Sequence, residues 1–375
     1  MTLPWGDGTA AVHAGLPDPA PGEPFLPGPV FAAPYHLPPG GPDPALDSYG
    51  RESNPTLRRY EEAVGKLEGG PSVVFASGMA AVSAVLLEVL RPGDAVVLPA
   101  DGYYVTRVLG REVLAARGIE VREVPTAGPY DGGVLVGARL VLLETPANPG
   151  LDVCDLGAVV PAAHAAGALV AVDNTTATPL GQRPLDWGAD FSVSSDTKAM
   201  TGHSDLLLGH IAVRDPALLA RLRAWRTRTG GLPGPFETWL AHRSLGTLDL
   251  RLGRQAANAL ALAAVLAAHP AVTGLRYPGR PEDPAHEVAS RQMRRFGGVV
   301  SFTLPSAGAV ERFVAASGLL AAATSFGGLH SSIDRRAQWG GDQVAPGFVR
   351  LSAGCEDTAD LVADVTRALD AAPRS

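Results

Sequence analysis

Ala168-Leu-Val-Ala-Val172-Asp173-Asn174-Thr175 decides how the rest of the chain is read. An apolar run this short, closed by an acid, is a buried strand whose end leaves the interior. Working outward, the same pattern recurs on both sides. A helix over 155–166 and strand Leu140–Glu144 precede it, and earlier still strands Ala95–Leu98 and Ile119–Val124 flank a helix over 106–117, with another helix over 79–90 ahead of them. Strands Phe191–Ser194 and Leu206–Val213 follow. Such alternation predicts an α/β fold with a mainly parallel sheet covered by helices. Ligands of these sheets lie beyond the carboxyl ends of strands, which makes Asp173 a candidate site residue. A magnesium-nucleotide role is excluded: neither lysine of the chain is followed by serine or threonine, as a phosphate loop of the G-x-x-x-x-G-K-[ST] type requires.

Residues 1 to about 45 are dense in proline and glycine, from Gly15-Leu-Pro-Asp-Pro19 to Leu37-Pro-Pro-Gly-Gly-Pro42, and read as an extended arm with neither regular helix nor central strand. From Phe236 to Ala268 an Ala/Leu-rich pattern predicts one long helix, stopped at His269-Pro270 and joining two domains. Strand Val299–Leu304, a helix over 309–317, strand Val349–Ser352 and a final helix Thr358–Leu369 make a smaller α/β unit. The expected division is an arm over 1–55, a large domain over 56–235 and a C-terminal domain over 236–375.

With 375 residues, 46% of them apolar, the chain can bury a sizeable core. Its net charge of -7 and the lack of a basic run with interleaved aromatics speak against nucleic-acid binding. The proline-rich arm leaves no room for a helix-turn-helix ahead of residue 50. Cys154 and Cys355 stand far apart and support neither a disulfide framework nor a metal centre, so a cytoplasmic location is expected. Met1 to Pro21 lacks the basic and apolar segments of a leader, and no stretch reaches about 18 uninterrupted apolar residues. Neither secretion nor membrane insertion is expected.

Only two of the 31 basic residues are lysines, Lys66 and Lys198. A guanidinium serves ion pairing and anion binding but never works as an amine, so lysine persists where an amine is needed. Lys66 lies on a charged helical face, where an ordinary solvated lysine is expected. Lys198 ends Asp190-Phe-Ser-Val-Ser-Ser-Asp-Thr-Lys198, just past a strand, where burial can lower an amine's pKa and prepare it for a Schiff base. In Phe75-Ala-Ser77-Gly78-Met79-Ala80 a strand gives way to a helix; the exposed N–H groups suit a phosphate, and Ser77 equally suits a helix cap. Ser195 and Thr197 add hydroxyls. An amine, a buried acid and a phosphate cradle together point to pyridoxal phosphate, whose ring nitrogen needs an acidic partner.

Tyr49-Gly-Arg51-Glu-Ser-Asn54-Pro-Thr56, Ser77-Gly-Met-Ala80, Glu144-Thr-Pro-Ala-Asn148-Pro149, Val172-Asp-Asn-Thr175, Ser195-Asp-Thr-Lys198 and Gly202-His-Ser-Asp205 occur in this order. Arg243-Ser-Leu-Gly-Thr-Leu248, Ser325-Phe-Gly-Gly328 and Val349-Arg-Leu-Ser352 continue the series. The chain thereby resembles the Cys/Met-metabolism (trans-sulfuration) family of pyridoxal-phosphate-dependent enzymes, from about residue 12 to its C-terminus. The resemblance implies a PLP-dependent transferase fold of type I with pyridoxal 5'-phosphate as cofactor. Lys198 would carry the cofactor and move protons, Asp173 would pair with its ring nitrogen, and Tyr103 would stack on the ring and act as acid or base. Gly78, Met79, Ser195 and Thr197 would hold the phosphate, with Tyr49 and Arg51 arriving from a neighbouring subunit of a homotetramer built from dimers. Arg350, Asn148 and Ser325 would orient the substrate's α-carboxylate.

The expected reaction is γ-elimination on a small sulfur amino acid, first as a cystathionine γ-lyase. Cystathionine γ-synthase is the alternative, followed by methionine γ-lyase and cystathionine β-lyase. The family's usual glutamate after Gly-Gly is replaced here by His330, and a His-Pro and Met-Thr-His stretch by Asp334-Arg-Arg-Ala-Gln-Trp-Gly-Gly341. Val105 stands where methionine γ-lyases place a cysteine. Glu52, His330 and Asp334 are therefore the candidates for the distal end of the substrate. The intact Lys198, Asp173 and Tyr103 set argues against a catalytically silent binding module.

Overall fold

The computed structural model of the chain describes residues 5–43 and 45–372. Its larger sheet has seven strands: β1 (Ser72–Phe75), β2 (Ala95–Pro99), β3 (Glu120–Val124), β4 (Ala138–Glu144), β5 (Leu169–Asp173), β6 (Phe191–Ser194) and β7 (Gly209–Ala212). Their order is β1-β7-β6-β5-β4-β2-β3. Pairings from β6 to β3 are parallel, and β7 runs antiparallel to both β6 and β1. The α/β expectation holds. Val96 and Leu98 of β2 pack on one face beneath helices Gly78–Val89 and Pro216–Thr229, while Val97 between them packs with helix Leu156–Ala165 on the other. Both faces are therefore covered, which explains why these strands read as unbroken apolar runs.

A second sheet of five strands comprises β8 (Thr273–Arg276), β9 (Val299–Thr303), β10 (Ala321–Ala322), β11 (Ser332–Arg335) and β12 (Phe348–Ser352), ordered β10-β11-β12-β9-β8. Phe302, Val349 and Leu351 join a separate core with helices Leu248–Ala268, Ala307–Ala316 and Thr358–Ala371.

Three local features differ from the sequence reading. The expected helix over 236–268 is two helices, Pro235–Leu245 and Leu248–Ala268. Arg251 stabilises the break: its guanidinium donates to Ser244 O at 3.0 Å, and to Ala199 O at 2.6 Å and Met200 O at 3.0 Å. The break thus clamps the turn that follows Lys198. Strand β7 begins only at Gly209, because Leu208 N donates to the Thr197 hydroxyl at 3.1 Å instead of joining the ladder. The arm contains a helix, Asp7–His13, ahead of most of its prolines, and Ala10, Ala11 and Ala14 pack against Tyr60 and Leu248.

Candidate active site

Residues after β2, β4, β5 and β6 converge at the carboxyl ends of the large sheet on a pocket of about 390 Å³. A volume of this size suits a small-molecule ligand. One wall is backbone. Ser77 caps helix Gly78–Val89, accepting from Ala80 N at 3.1 Å, so it is a helix cap within the cradle. A Cβ on Gly78 would lie 2.5 Å from Ser195 Cβ, and one on Gly209 would lie 2.7 Å from Gly78 Cα. Glycine is required at both positions for the three segments to meet. The N–H groups of the first helical turn, which have no partner within a helix, face this junction together with Ser195.

Asp173 ends β5, and Thr175 ties it to the cradle: Ser195 N donates to Thr175 Oγ1 at 2.8 Å, and the Thr175 hydroxyl and its N–H (3.0 Å) both donate to Asp173 Oδ1. Asp173 Oδ2 has no protein donor among the described residues. Glu144, its register partner on β4, accepts from Tyr103 N at 2.6 Å and Asn148 N at 2.7 Å. Burial raises the pKa of both acids, and the charge of Asp173 adds to the shift of Glu144, which is pushed up to about 8. Of the four oxygens of this pair, Asp173 Oδ2 is the one left open to a cationic partner.

Across the pocket, Lys198 Nζ donates to Ser325 Oγ at 2.8 Å and lies 5.4 Å above the Phe326 ring. Burial, followed by the fields of Arg350 and Arg336, lowers its pKa to about 8. About a tenth of the amine is then unprotonated at pH 7. Ser325 has φ 76°, a left-handed conformation that costs a serine energy and is typically retained where function fixes the backbone. Arg350 donates to Asn148 Oδ1 at 2.7 Å, Ser325 O at 2.8 Å and Asp334 Oδ2 at 3.2 Å, and its buried Nε has no partner among the described residues. A buried orphan N–H beside a pocket marks a ligand's place. Tyr103, half-buried, meets Tyr104 edge to face at 5.4 Å; burial, then Tyr104, raises its pKa.

The pocket therefore unites Lys198, Tyr103, Asp173, Gly78, Met79, Ser195, Thr197, Arg350, Asn148 and Ser325. The Thr197 hydroxyl is already engaged with Leu208, donating to its carbonyl at 3.2 Å. Five other expected residues lie outside. Tyr49 is exposed with the Arg51 guanidinium 5.3 Å above its ring, Arg51 donates to Thr227 O at 2.7 Å, and Glu52 accepts from Ser48 Oγ at 3.1 Å. His330 is exposed because its neighbours are pinned elsewhere: Cys355 N donates to Leu329 O at 2.7 Å and Ser331 N to Glu356 at 2.6 Å. His330 therefore does not line this chain's pocket. Asp334 is also unsuited to a distal ammonium, since Gln338, Trp339, Arg336 and Arg350 already donate to its two oxygens. Sequence reasoning missed Glu144 as a site acid, and Arg336 and Trp339 as lining residues. Glu144 carried a signal, an acid at a strand end like Asp173.

The donor set fits pyridoxal phosphate: helix N–H groups and Ser195 for an anion, Asp173 Oδ2 for a cationic ring nitrogen, Tyr103 for a ring face and Lys198 for the aldehyde carbon. Among the described residues no helix is long and apolar enough to cross a membrane. The family model described as "Cys/Met metabolism PLP-dependent enzyme" matches residues 41–370. A Streptomyces coelicolor protein named "Putative cystathionine gamma-lyase" is 58% identical over 97% of this chain and 94% of its own length. Cystathionine gamma-synthase of Mycobacterium tuberculosis is 38% identical over 97% of both chains. The crystal structure of apo CalE6, a methionine gamma lyase from Micromonospora echinospora, superposes with a TM-score of 0.91 at 39% identity, over 96% of this chain and 98% of that one. The chain belongs to the Cys/Met metabolism family of pyridoxal-phosphate-dependent enzymes.

Proposed function

We propose that this enzyme is a cystathionine γ-lyase: cystathionine and water yield cysteine, 2-oxobutanoate and ammonia by cleavage of the Cγ–S bond. The observation that carries the reading is one largely buried amine, Lys198, 2.8 Å from Ser325 in a pocket that Arg350 also lines. That spacing offers an amino acid its carboxylate anchor and its base together. The identity to the Streptomyces coelicolor protein supports the choice of lyase.

Arg350 and Asn148 hold the α-carboxylate, a task for which the planar guanidinium is suited. Bound pyridoxal phosphate supplies the electron sink that lets Cα and Cβ of the amino acid lose protons. Lys198, unprotonated in part at neutral pH, takes those protons and returns one to carbon. Tyr103 keeps its proton, as its raised pKa favours, and gives it to the departing sulfur. Glu144 fixes Tyr103 and Asn148 through their backbone N–H groups, linking the acid to the carboxylate site.

Incubating the holoenzyme with cystathionine alone is expected to release cysteine and 2-oxobutanoate in equal amounts. The Mycobacterium tuberculosis relative supports a γ-synthase as the second reading. No turnover of cystathionine, with formation of cystathionine from cysteine and an acylated homoserine, would establish that reading instead.

We infer further that residues 1–55 form an arm laid on a second copy, and that 56–235 and 236–375 are the cofactor and C-terminal domains. In this reading Tyr49 and Arg51 reach the phosphate of the neighbouring site within a tetramer. Phe25 and Phe31 on the arm, 90% and 73% exposed, support it, because large apolar groups so placed call for a covering surface. Mixing Arg51→Ala with Lys198→Ala protein under exchange conditions is expected to restore activity that neither has alone. Sites confined to one chain would stay inactive after mixing.

A further inference from the structure

Arg336 follows β11 and, with Arg350 on β12, is one of the two arginines that line the pocket. Its Nε and Nη2 donate to Asp342 Oδ2 at 2.9 and 2.7 Å, and its Nη1 donates to Asp334 Oδ2 at 2.7 Å. Each terminal nitrogen carries two hydrogens, so one N–H on each is left over. Arg107 shares Asp342 at 3.0 Å and Arg350 shares Asp334 at 3.2 Å. Three guanidiniums are thus held by two carboxylates, and a surplus of positive charge borders the pocket.

The same segment is rigid where it meets the pocket. Arg107 donates to Gly341 O at 3.0 Å, and a Cβ on Gly341 would lie 2.6 Å from the Tyr104 ring. Trp339, whose Nε1 donates to Asp334 at 2.9 Å, lines the pocket beside Arg336. The pocket's own acids, Glu144 and Asp173, sit at the ends of β4 and β5 among the backbone donors and the cofactor-binding groups. Asp334 has no free lone pair. On this side, among the described residues, the pocket is lined by guanidinium N–H groups, aromatic faces and the hydroxyls of Thr324 and Ser325, with no carboxylate free to pair with an ammonium.

We propose that Arg336 binds the distal carboxylate of the substrate, so that the enzyme reads the far end of the thioether as an acid and leaves its ammonium unread. This rests on the carboxylate anchor at Arg350 and on the lyase reading above, and it adds a substrate class: amino acids with a second acidic group. Methionine, which lacks one, belongs outside that class.

The test titrates the holoenzyme with cystathionine, S-(2-carboxyethyl)homocysteine and S-(2-aminoethyl)homocysteine, following the cofactor's visible absorption to obtain dissociation constants whether or not a bond breaks. The carboxyethyl compound is expected to bind within about threefold of cystathionine, and the aminoethyl compound about 10- to 100-fold more weakly. Arg336→Met is expected to bind the two analogues alike. Arg336→Lys keeps a charge between Asp334 and Asp342 and is expected to keep the order at a smaller ratio. Equal binding of the analogues by the unaltered enzyme overturns the proposal, whether or not Arg336→Met folds. So does an unchanged ratio in Arg336→Lys. Should the analogues bind in the expected order while cystathionine releases no cysteine, the Arg336 assignment stands and the lyase reading falls.

Discussion

Lys198→Arg is expected to lower kcat/KM by at least about a thousandfold and to abolish the visible band of lysine-bound cofactor, while Lys66→Arg changes neither. The chain otherwise uses arginine for nearly every basic position, so the exchange is a mild one by its own standards. At 198 it fails for two physical reasons. A guanidinium cannot give up its proton near neutral pH, whereas the buried amine, with a pKa lowered to about 8, can. It would also stand as a third fixed cation beside Arg350 and Arg336, whose fields already press on the amine. Lys66 is exposed on helix Pro55–Glu68 and has no such neighbours in the pocket. Measuring kcat/KM and absorption of both variants checks this; normal turnover in Lys198→Arg would remove the amine from the mechanism.

The parts of the site legible in the sequence are those set by short-range rules. Asp173 is visible because an apolar strand must end before a polar group, and Ser77-Gly78 because a helix must start with a cap and a close approach needs glycine. Arg350 is visible on β12 through its motif. Arg336 is not, because its place depends on Asp334 and Asp342, two carboxylates whose only common feature in sequence is polarity. Burial of an ion cluster is a tertiary event that no periodicity announces. The helix break at Gly246 was missed for the same reason. Nothing in the Ala/Leu pattern shows that Arg251 will reach carbonyls at 199, 200 and 244. His330 is the converse case: its motif position is legible, but the ties of Leu329 and Ser331 to residues 355 and 356 leave the side chain exposed.

Beneath the Lys198 turn lies a buried ionic network that tests the same lesson in stability. His210 on β7 contacts Asp196 Oδ1 at 2.6 Å and Glu68 Oε1 at 3.0 Å, and Tyr60 donates to Asp196 Oδ2 at 2.9 Å. All four side chains are 0% exposed. Burial drives the imidazole's pKa down, but Asp196 and Glu68 more than offset it and hold the value at about 10. His210 is therefore a cation at neutral pH, and it holds the residue between Ser195 and Thr197. His210→Leu is expected to cost about 3–5 kcal/mol, because two carboxylates are left buried without a counter-charge. The parent and the variant should respond differently to pH. A histidine whose folded pKa is raised contributes stability that is complete below its unfolded value of about 6.5 and is lost as pH climbs through about 10. The leucine variant lacks that alkaline loss. Denaturant midpoints at several pH values separate the two slopes. A variant within about 1 kcal/mol of the parent at pH 8 would mean that the turn carrying Lys198 is held by hydrogen bonds without help from a buried ion pair.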